Sequence, residues 1–201
     1  MRDTVIVFAR APRLGTVKRR LARDIGHRAA LRFHRATLAA LLRDLLACRR
    51  FDVVLALTPD RARFRLPVRV RRIPQGHGDL GRRMARVLRR WRRVALMGCD
   101  IPDAGAADVR AAFRGLGTAD AVFGPATDGG YWLIALGPRR PSDLFGKTRW
   151  STGHALADTL AQFRHHRVRL IRCLSDVDTA ADYHRFNRSR TGRAAAPAGA
   201  A

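Results

Sequence analysis

The sequence predicts a layered α/β domain built on a largely parallel sheet. Short apolar runs alternate along the chain with longer segments in which apolar residues recur every three or four positions. The short runs are typical of buried strands, and the longer spacing is typical of helices that bury one face. Strands that alternate with helices indicate a layered α/β domain. At 201 residues the chain is long enough for one domain with a sizeable core.

The strands are predicted from apolar runs that are bounded by turn residues or charges. They are Thr4–Ala9, Asp52–Leu57, Val94–Gly98, Ala119–Phe123, Tyr131–Leu136 and Val168–Leu174, with a weaker alternating run at Val68–Ile73.

The helices are predicted from the three-to-four spacing of apolar residues. They are Arg28–Cys48, Asp79–Trp91, Ala104–Arg114, Thr152–Arg164 and Thr179–Asn187. The clearest is Arg28–Cys48, whose buried stripe is formed by leucines and also includes His34.

We expect the folded domain to span residues 1–187, and the tail 188–201, rich in Ala, Gly and Arg, to be disordered. The loop Gly137–Trp150 is the one extended irregular stretch, and loops of that length are often functional.

The composition is strongly basic, with a formal net charge of +24. Such a charge favours nucleic acid or acidic membranes as partners. The basic residues are almost all arginines spread along the whole chain, however, and no aromatic stacking platform or recognition motif accompanies them. We therefore expect no specific nucleic-acid partner. The chain contains no glutamate, so every carboxylate for metal binding or acid–base chemistry must be an aspartate or the chain terminus.

The cysteines and the apolar segments favour a soluble cytoplasmic protein. Cys48, Cys99 and Cys173 are odd in number and lack the C-x-x-C spacing, which fits a reducing compartment. No apolar stretch is long enough to cross a membrane or to form a secretory signal.

The first strand leads into a turn that could hold phosphates. Gly15 allows close approach of the backbone, Lys18 supplies a point charge and Arg20 a bidentate fork. The turn lacks the first glycine and the hydroxyl of a nucleotide-hydrolysing P-loop. A solvated basic turn is the alternative interpretation.

A glycine pattern at Gly76, Gly78 and Gly81 matches the dinucleotide-binding fingerprint only formally. The strand before it is half arginine, whereas the first strand of that fold is buried on both faces. We interpret these glycines as a loop whose following helix is capped by Asp79.

Aspartates follow three of the apolar segments. Asp100 ends the run V-A-L-M-G-C-D and could bind Mg²⁺ or Mn²⁺, although it could also cap the next helix. Asp128 lies in G-P-A-T-D-G-G-Y, which could face a ligand or form a simple hairpin turn. Asp176 and Asp178 offer a second metal carboxylate or a cap for the last helix. Cys99 is expected to pack as a small hydrophobic residue.

In combination these segments resemble a known family. F-A-R-A-P-x-x-G-x-V-K is followed in order by G-D-L-G-x-R-M, G-x-D-x-P, G-P-A-x-D-G-G-Y-x-L, W-S-T and D-V-D-T, from Thr4 to about Tyr183. This series resembles DUF2064, a family of small bacterial proteins grouped with the glycosyltransferases of the GT-A, nucleotide-diphospho-sugar transferase superfamily. It is more distantly similar to the molybdenum-cofactor and phospholactate guanylyltransferases.

The resemblance implies a single-domain, three-layer, Rossmann-like sheet that is mixed but mostly parallel. It also implies a set of functional residues. The nucleotide would be bound by Ala11, Pro12, Gly15, Lys18, Arg20, Asp79 and Arg83. Asp100, assisted by Asp178, would bind the metal, and Asp100 and Asp128 would serve catalysis. The acceptor or sugar pocket would be lined by Gly129, Gly130, Tyr131, Trp150, Ser151 and Thr152.

Three functions are weighed on this basis. The leading hypothesis is a glycosyltransferase that depends on Mg²⁺ or Mn²⁺ and passes the sugar of a nucleotide sugar to a small-molecule acceptor. A nucleotidyltransferase, similar to a guanylyltransferase, would instead use a nucleoside triphosphate and a phosphorylated small molecule. The third hypothesis is a basic nucleic-acid-binding protein without catalytic activity.

Overall fold

A seven-stranded sheet forms the middle of the computed structural model, which describes residues 2–195, with side chains as far as residue 188. The strands are β1 (Thr4–Arg10), β2 (Asp52–Thr58), β3 (Arg71–Pro74), β4 (Val94–Gly98), β5 (Ala121–Pro125), β6 (Tyr131–Leu136) and β7 (Val168–Leu170). Their order across the sheet is β3-β2-β1-β4-β6-β5-β7. Only β6 among these described strands runs antiparallel to its neighbours, β4 and β5. The predicted mixed, mostly parallel sheet is confirmed.

Six helices accompany the sheet in the described part of the chain. They are α1 (Arg19–Ile25), α2 (His27–Ala47), α3 (Leu80–Leu88), α4 (Ala106–Gly115), α5 (Ala155–Gln162) and α6 (Ala180–Ala195). Of these, α1 was not predicted. It has seven residues, buries only Leu21 and Ala22, and has no side-chain cap, so it shows neither a clear period nor a start signal.

Two hydrophobic clusters cover the two faces of the sheet. Val5 and Val7 of β1 pack on the face covered by α2 and α4, whereas Ile6 packs on the face covered by α3. Alternate residues of a strand point to opposite faces, so both faces of β1 are buried. This three-layer arrangement explains why the central strands are continuous apolar runs in the sequence.

The structure differs from the sequence prediction mainly at the ends of elements. The edge strands are shorter than predicted: β3 begins at Arg71, and β7 ends at Leu170. Helix α6 continues past the predicted end at Asn187, so residues 188–195, which were expected to belong to a disordered tail, are helical. Residues 196–201 lie outside the described part of the chain. None of the described helices combines the length and the apolar composition needed to cross a bilayer.

Candidate functional site

The candidate site lies at the carboxyl ends of the central strands. Strands β1 and β4 are parallel neighbours, so the loops that follow them leave the sheet at the same edge. A third segment joins them near the C-terminus, where the Val177 N–H donates to the Asp100 carbonyl oxygen at 3.3 Å. Residues from three distant parts of the chain therefore meet at one edge.

Lys18 lies between two of the predicted metal ligands. Its Nζ is 2.9 Å from Asp178 Oδ1 and 3.2 Å from Asp100 Oδ1, and its side chain is only 3% exposed. Burial lowers the pKa of Lys18, but the charges of Asp100 and Asp178 outweigh it and raise the pKa above its ordinary value. The side chain is therefore an ammonium ion held between two carboxylates.

Asp100 is also contacted by two residues that sequence reasoning did not place in the site. Its Oδ1 is 3.8 Å from His34 Nδ1 and 3.9 Å from Cys99 Sγ. Burial raises the pKa of Asp100, but the hydrogen bond from His34 and the charge of Lys18 outweigh it and lower the pKa to about 2. Asp100 is therefore a carboxylate at neutral pH.

His34 and Cys99 are both buried, as the sequence predicts. The second ring nitrogen of His34, Nε2, lies 3.1 Å from the Arg10 carbonyl oxygen and fixes the ring. A polar residue on the apolar stripe of α2 was the available signal for this role. Burial, and then the charge of Asp100, raise the pKa of Cys99 well above its ordinary value, so this residue is a thiol rather than a nucleophilic thiolate.

The site contains more carboxylates than Lys18 can neutralise. Burial, followed by the charge of Asp178, raises the pKa of Asp176 to about 6, and Asp128 and Asp100 contribute to the same shift. Carboxylate oxygens are the ligands that Mg²⁺ and Mn²⁺ prefer. The donor set around Asp100 and Asp178 therefore fits a hard divalent cation.

A cavity of about 240 Å³ adjoins these carboxylates. Asp100, Asp128 and Asp176 line it together with five of the residues expected in the acceptor pocket, Gly130, Tyr131, Trp150, Ser151 and Thr152. The aromatic rings of Tyr131 and Trp150 lie edge to face with centroids 6.3 Å apart. The structure thus brings the predicted pocket residues to the same cavity as the predicted metal ligand.

The loop between β5 and β6 supplies the far wall of this cavity. Asp128 Oδ1 accepts a hydrogen bond from the Gly130 N–H at 2.9 Å, so this carboxylate shapes the turn as well as facing the cavity. Gly129 has a φ of +81°, and its carbonyl oxygen accepts from the Leu156 N–H at 3.0 Å. Gly129 therefore supports the pocket by fixing this loop to the start of α5.

The remaining residues expected to bind the nucleotide are more scattered. Gly15, with a φ of +73°, and Arg20 are exposed, while Ala11 and Pro12 are buried at the end of β1. Asp79 accepts from the Arg82 N–H at 2.8 Å and caps α3, as predicted. Among these residues, Lys18 alone contacts the carboxylates in the described structure.

Gln75 is a further buried polar residue that sequence reasoning did not place in the site. It follows β3 and is 1% exposed, and its Oε1 accepts from Arg83 Nη1 at 2.8 Å. This contact fixes the predicted nucleotide-binding residue Arg83 beside the ends of β1 and β2. No local sequence pattern indicates such a role, because the partners of Gln75 come from separate strands.

Similar solved structures define the class of protein. A protein from Desulfovibrio desulfuricans G20, provisionally named a nucleotide-diphospho-sugar transferase, is 30% identical; the match covers 94% of this chain and 88% of that one, with a TM-score of 0.87. A nucleotidyl transferase from Methanothermobacter is 14% identical over 96% of this chain and 99% of that one, with a TM-score of 0.62. Rv0371c from Mycobacterium tuberculosis H37Rv, solved in complex with manganese, is 21% identical over 94% of this chain and 100% of that one, with a TM-score of 0.53. The chain has the fold shared by nucleotide-diphospho-sugar transferases and nucleotidyl transferases.

The family assignment is narrower than this class. Residues 41–152 match the model of DUF2064, described as an uncharacterized protein conserved in bacteria. The chain belongs to the DUF2064 family. A comparison with curated proteins gave no match.

Proposed function

We propose that the protein is a glycosyltransferase that depends on a divalent cation and transfers the sugar of a nucleotide sugar to a small-molecule acceptor. The observation that carries the proposal is the meeting of Lys18, Asp100 and Asp178 at the carboxyl edge of the sheet. Ligands of open α/β sheets bind outside this edge. The name of the D. desulfuricans protein, which is 30% identical, supports a nucleotide sugar as the donor.

The charged residues of the site would bind the diphosphate in two ways, through a metal ion and directly. Asp100 and Asp178 would hold Mg²⁺ or Mn²⁺, which when bound neutralises the charge of the leaving diphosphate. Lys18 and Arg20 would donate to phosphate oxygens, with the backbone of Ala11, Pro12 and Gly15 beside them. Arg83, fixed by Gln75, would add a further cation near the nucleotide, next to Asp79 at the start of α3.

The acceptor would occupy the cavity beside the carboxylates. Asp128 is the group proposed to position the acceptor or to take its proton, because its carboxylate lines this cavity. Gly130, Tyr131, Trp150, Ser151 and Thr152 would form the walls, and Gly129 would hold the loop in place. The two aromatic rings offer apolar faces against which a sugar ring could pack.

Nucleotidyl transfer is the second candidate. The fold shared with the Methanothermobacter nucleotidyl transferase and the buried ammonium of Lys18 favour it, since a triphosphate also needs a cation from the protein. In that reaction a phosphorylated acceptor would attack the α-phosphate of a nucleoside triphosphate, and pyrophosphate would leave. Product analysis separates the two: glycosyl transfer releases a nucleoside diphosphate from a nucleotide sugar, and nucleotidyl transfer releases pyrophosphate.

The metal requirement is tested by thermal unfolding with nucleoside diphosphates and nucleotide sugars, with and without Mn²⁺. A ligand that binds only the native state raises the unfolding temperature. We expect Asp100→Asn to abolish the Mn²⁺-dependent part of this rise. Asp52→Asn, the same substitution at the opposite edge of the sheet, should leave it unchanged. A rise of normal size in Asp100→Asn would remove Asp100 from the proposed site.

A further inference from the structure

We infer that Lys18 is an internal competitor of the divalent cation, which it excludes from the free protein until an anionic ligand draws the ammonium away. The inference rests on the proposed metal site of Asp100 and Asp178 and adds the condition under which a cation binds there. Lys18 thereby differs from a simple ligand-binding residue, because its side chain weakens the binding of the divalent cation.

The position of the ammonium carries the argument. Lys18 Nζ contacts the Oδ1 atoms of both Asp100 and Asp178, at 3.2 and 2.9 Å, and its side chain is almost completely buried. These are the oxygens that a divalent cation would need. A cation bound to both oxygens would lie against the ammonium, and the two positive charges would repel each other in a partly buried site. The ammonium and the cation therefore exclude one another.

Asp100 is held in place by contacts other than the one with the ammonium. Asp100 Oδ1 also faces His34 Nδ1 and Cys99 Sγ, both from buried residues, and the Asp100 carbonyl oxygen accepts from Val177. Lys18 has a flexible four-carbon side chain. Because its side chain is longer and more flexible than that of an aspartate, Lys18 can leave while Asp100 stays in place.

An anionic ligand offers the ammonium a second partner. Residues 13–16, which lead into Lys18, are exposed, so a diphosphate can reach the turn that carries this side chain. Once Lys18 pairs with a phosphate, Asp100 and Asp178 lose their counter-charge, with Asp176 and Asp128 nearby. The released site then favours a divalent cation, so the cation and the diphosphate each increase the affinity of the other.

The experiment measures the binding of Mn²⁺ alone to the full chain, by titration calorimetry or by the electron paramagnetic resonance signal of free Mn²⁺. A cation that binds only when Lys18 is displaced has an apparent affinity reduced by the fraction of molecules in that state. We expect Lys18→Met, which removes the charge and shortens the unbranched side chain by one atom, to bind Mn²⁺ roughly tenfold or more tightly than wild type. Lys18→Gln should change in the same direction, and Lys18→Arg should stay weak.

Arg19→Gln is the matched control, because it removes one positive charge from the adjacent, exposed position. Its Mn²⁺ affinity should stay within about twofold of wild type, since exposed charges are screened by salt. Equal Mn²⁺ affinity in wild type and Lys18→Met, or a gain in Arg19→Gln as large as in Lys18→Met, would overturn the inference while leaving the metal site intact. Absence of Mn²⁺ binding in every variant would instead contradict the proposed metal site.

Two further readouts complete the test. Inorganic pyrophosphate, after correction for its own binding of Mn²⁺, should raise the Mn²⁺ affinity of wild type more than that of Lys18→Met; equal gains would overturn the cooperative step.

Lys18→Met leaves two carboxylates without a counter-charge, so its fold could fail without metal. Refolding by Mn²⁺, followed by circular dichroism, would support the exchange of one cation for the other, and failure to refold would count against it.

Discussion

Gln75 joins the carboxyl ends of neighbouring strands to the helix that follows. Its Nε2 donates to the carbonyl oxygens of Ala9 at 3.0 Å and Ala56 at 2.9 Å, while its Oε1 accepts from Arg83. All of these contacts are made by one side chain that is buried from solvent. Because buried polar groups are costly when they lack partners, the loss of this side chain would affect two strands and Arg83 together.

We expect Gln75→Ala to lower the free energy of unfolding by about 2–4 kcal/mol, since it removes the amide group that donates to two carbonyl oxygens and accepts from Arg83. Urea denaturation followed by circular dichroism measures the change. Gln162→Ala is the control, because this half-buried glutamine of α5 makes no side-chain hydrogen bond in the described structure; its loss should stay below about 1 kcal/mol. Equal losses in the two variants would contradict the role given to Gln75.

At the scale of single residues, the sequence reveals groups whose setting is local. Asp100 was predicted because it ends an apolar strand, and Asp79 because it precedes a helix. His34 and Gln75 were missed as site residues, since their partners lie on other strands and loops. A buried histidine and a buried glutamine have no sequence pattern that distinguishes a structural contact from a functional one.

At the scale of elements, the pocket depends on how the β5–β6 loop is fixed to the start of α5. Gly129 combines a positive φ with close contact to the backbone of Gly153. A Cβ at position 129 would overlap the Gly153 carbonyl group, and this neighbour is backbone rather than a flexible side chain. The loop that carries Asp128 therefore has little room for any other residue at this point.

A positive φ alone costs a residue with a Cβ about 1–2 kcal/mol. We expect Gly129→Ala to lower the free energy of unfolding by more than this amount. Gly15→Ala separates the two effects, because Gly15 has a φ of +73° and no atom within 4 Å of the added carbon. Urea denaturation of both variants gives the comparison. Equal losses would show that backbone conformation, and not the contact with Gly153, sets the requirement at position 129.

The same scale shows which elements a sequence can and cannot predict. Strands β1, β2, β4 and β6 were predicted within a residue of their ends, because burial on both faces makes them continuous apolar runs. Helix α1 was missed because seven residues with two buried positions give no period. The edge strands β3 and β7 were predicted too long, since pairing with only one neighbour determines where they end.

At the scale of the whole molecule, the overall charge is positive while the candidate site is rich in carboxylates. The chain carries a net charge of +24, yet Asp100, Asp128, Asp176 and Asp178, four of its 16 acidic residues, gather at one site. The basic surface attracts anions from solution. Close to the site the carboxylates oppose them, so a diphosphate needs Lys18 or a divalent cation as a partner there. The overall charge therefore favours the approach of an anion, whereas the acidic site requires a cation to hold the anion there.

The difference between the overall charge and the charge of the site predicts how nucleic acid should bind. We expect affinity for duplex DNA to fall by about 100-fold or more between 50 and 200 mM salt, because contacts with many phosphates release counterions. Fluorescence anisotropy with two duplexes of unrelated sequence should give equal affinities. Binding of a nucleoside diphosphate with Mn²⁺, which involves fewer charges, should weaken much less over the same range. DNA affinity that survives at 200 mM salt and depends on sequence would favour the nucleic-acid-binding hypothesis, because neither property follows from a basic surface alone.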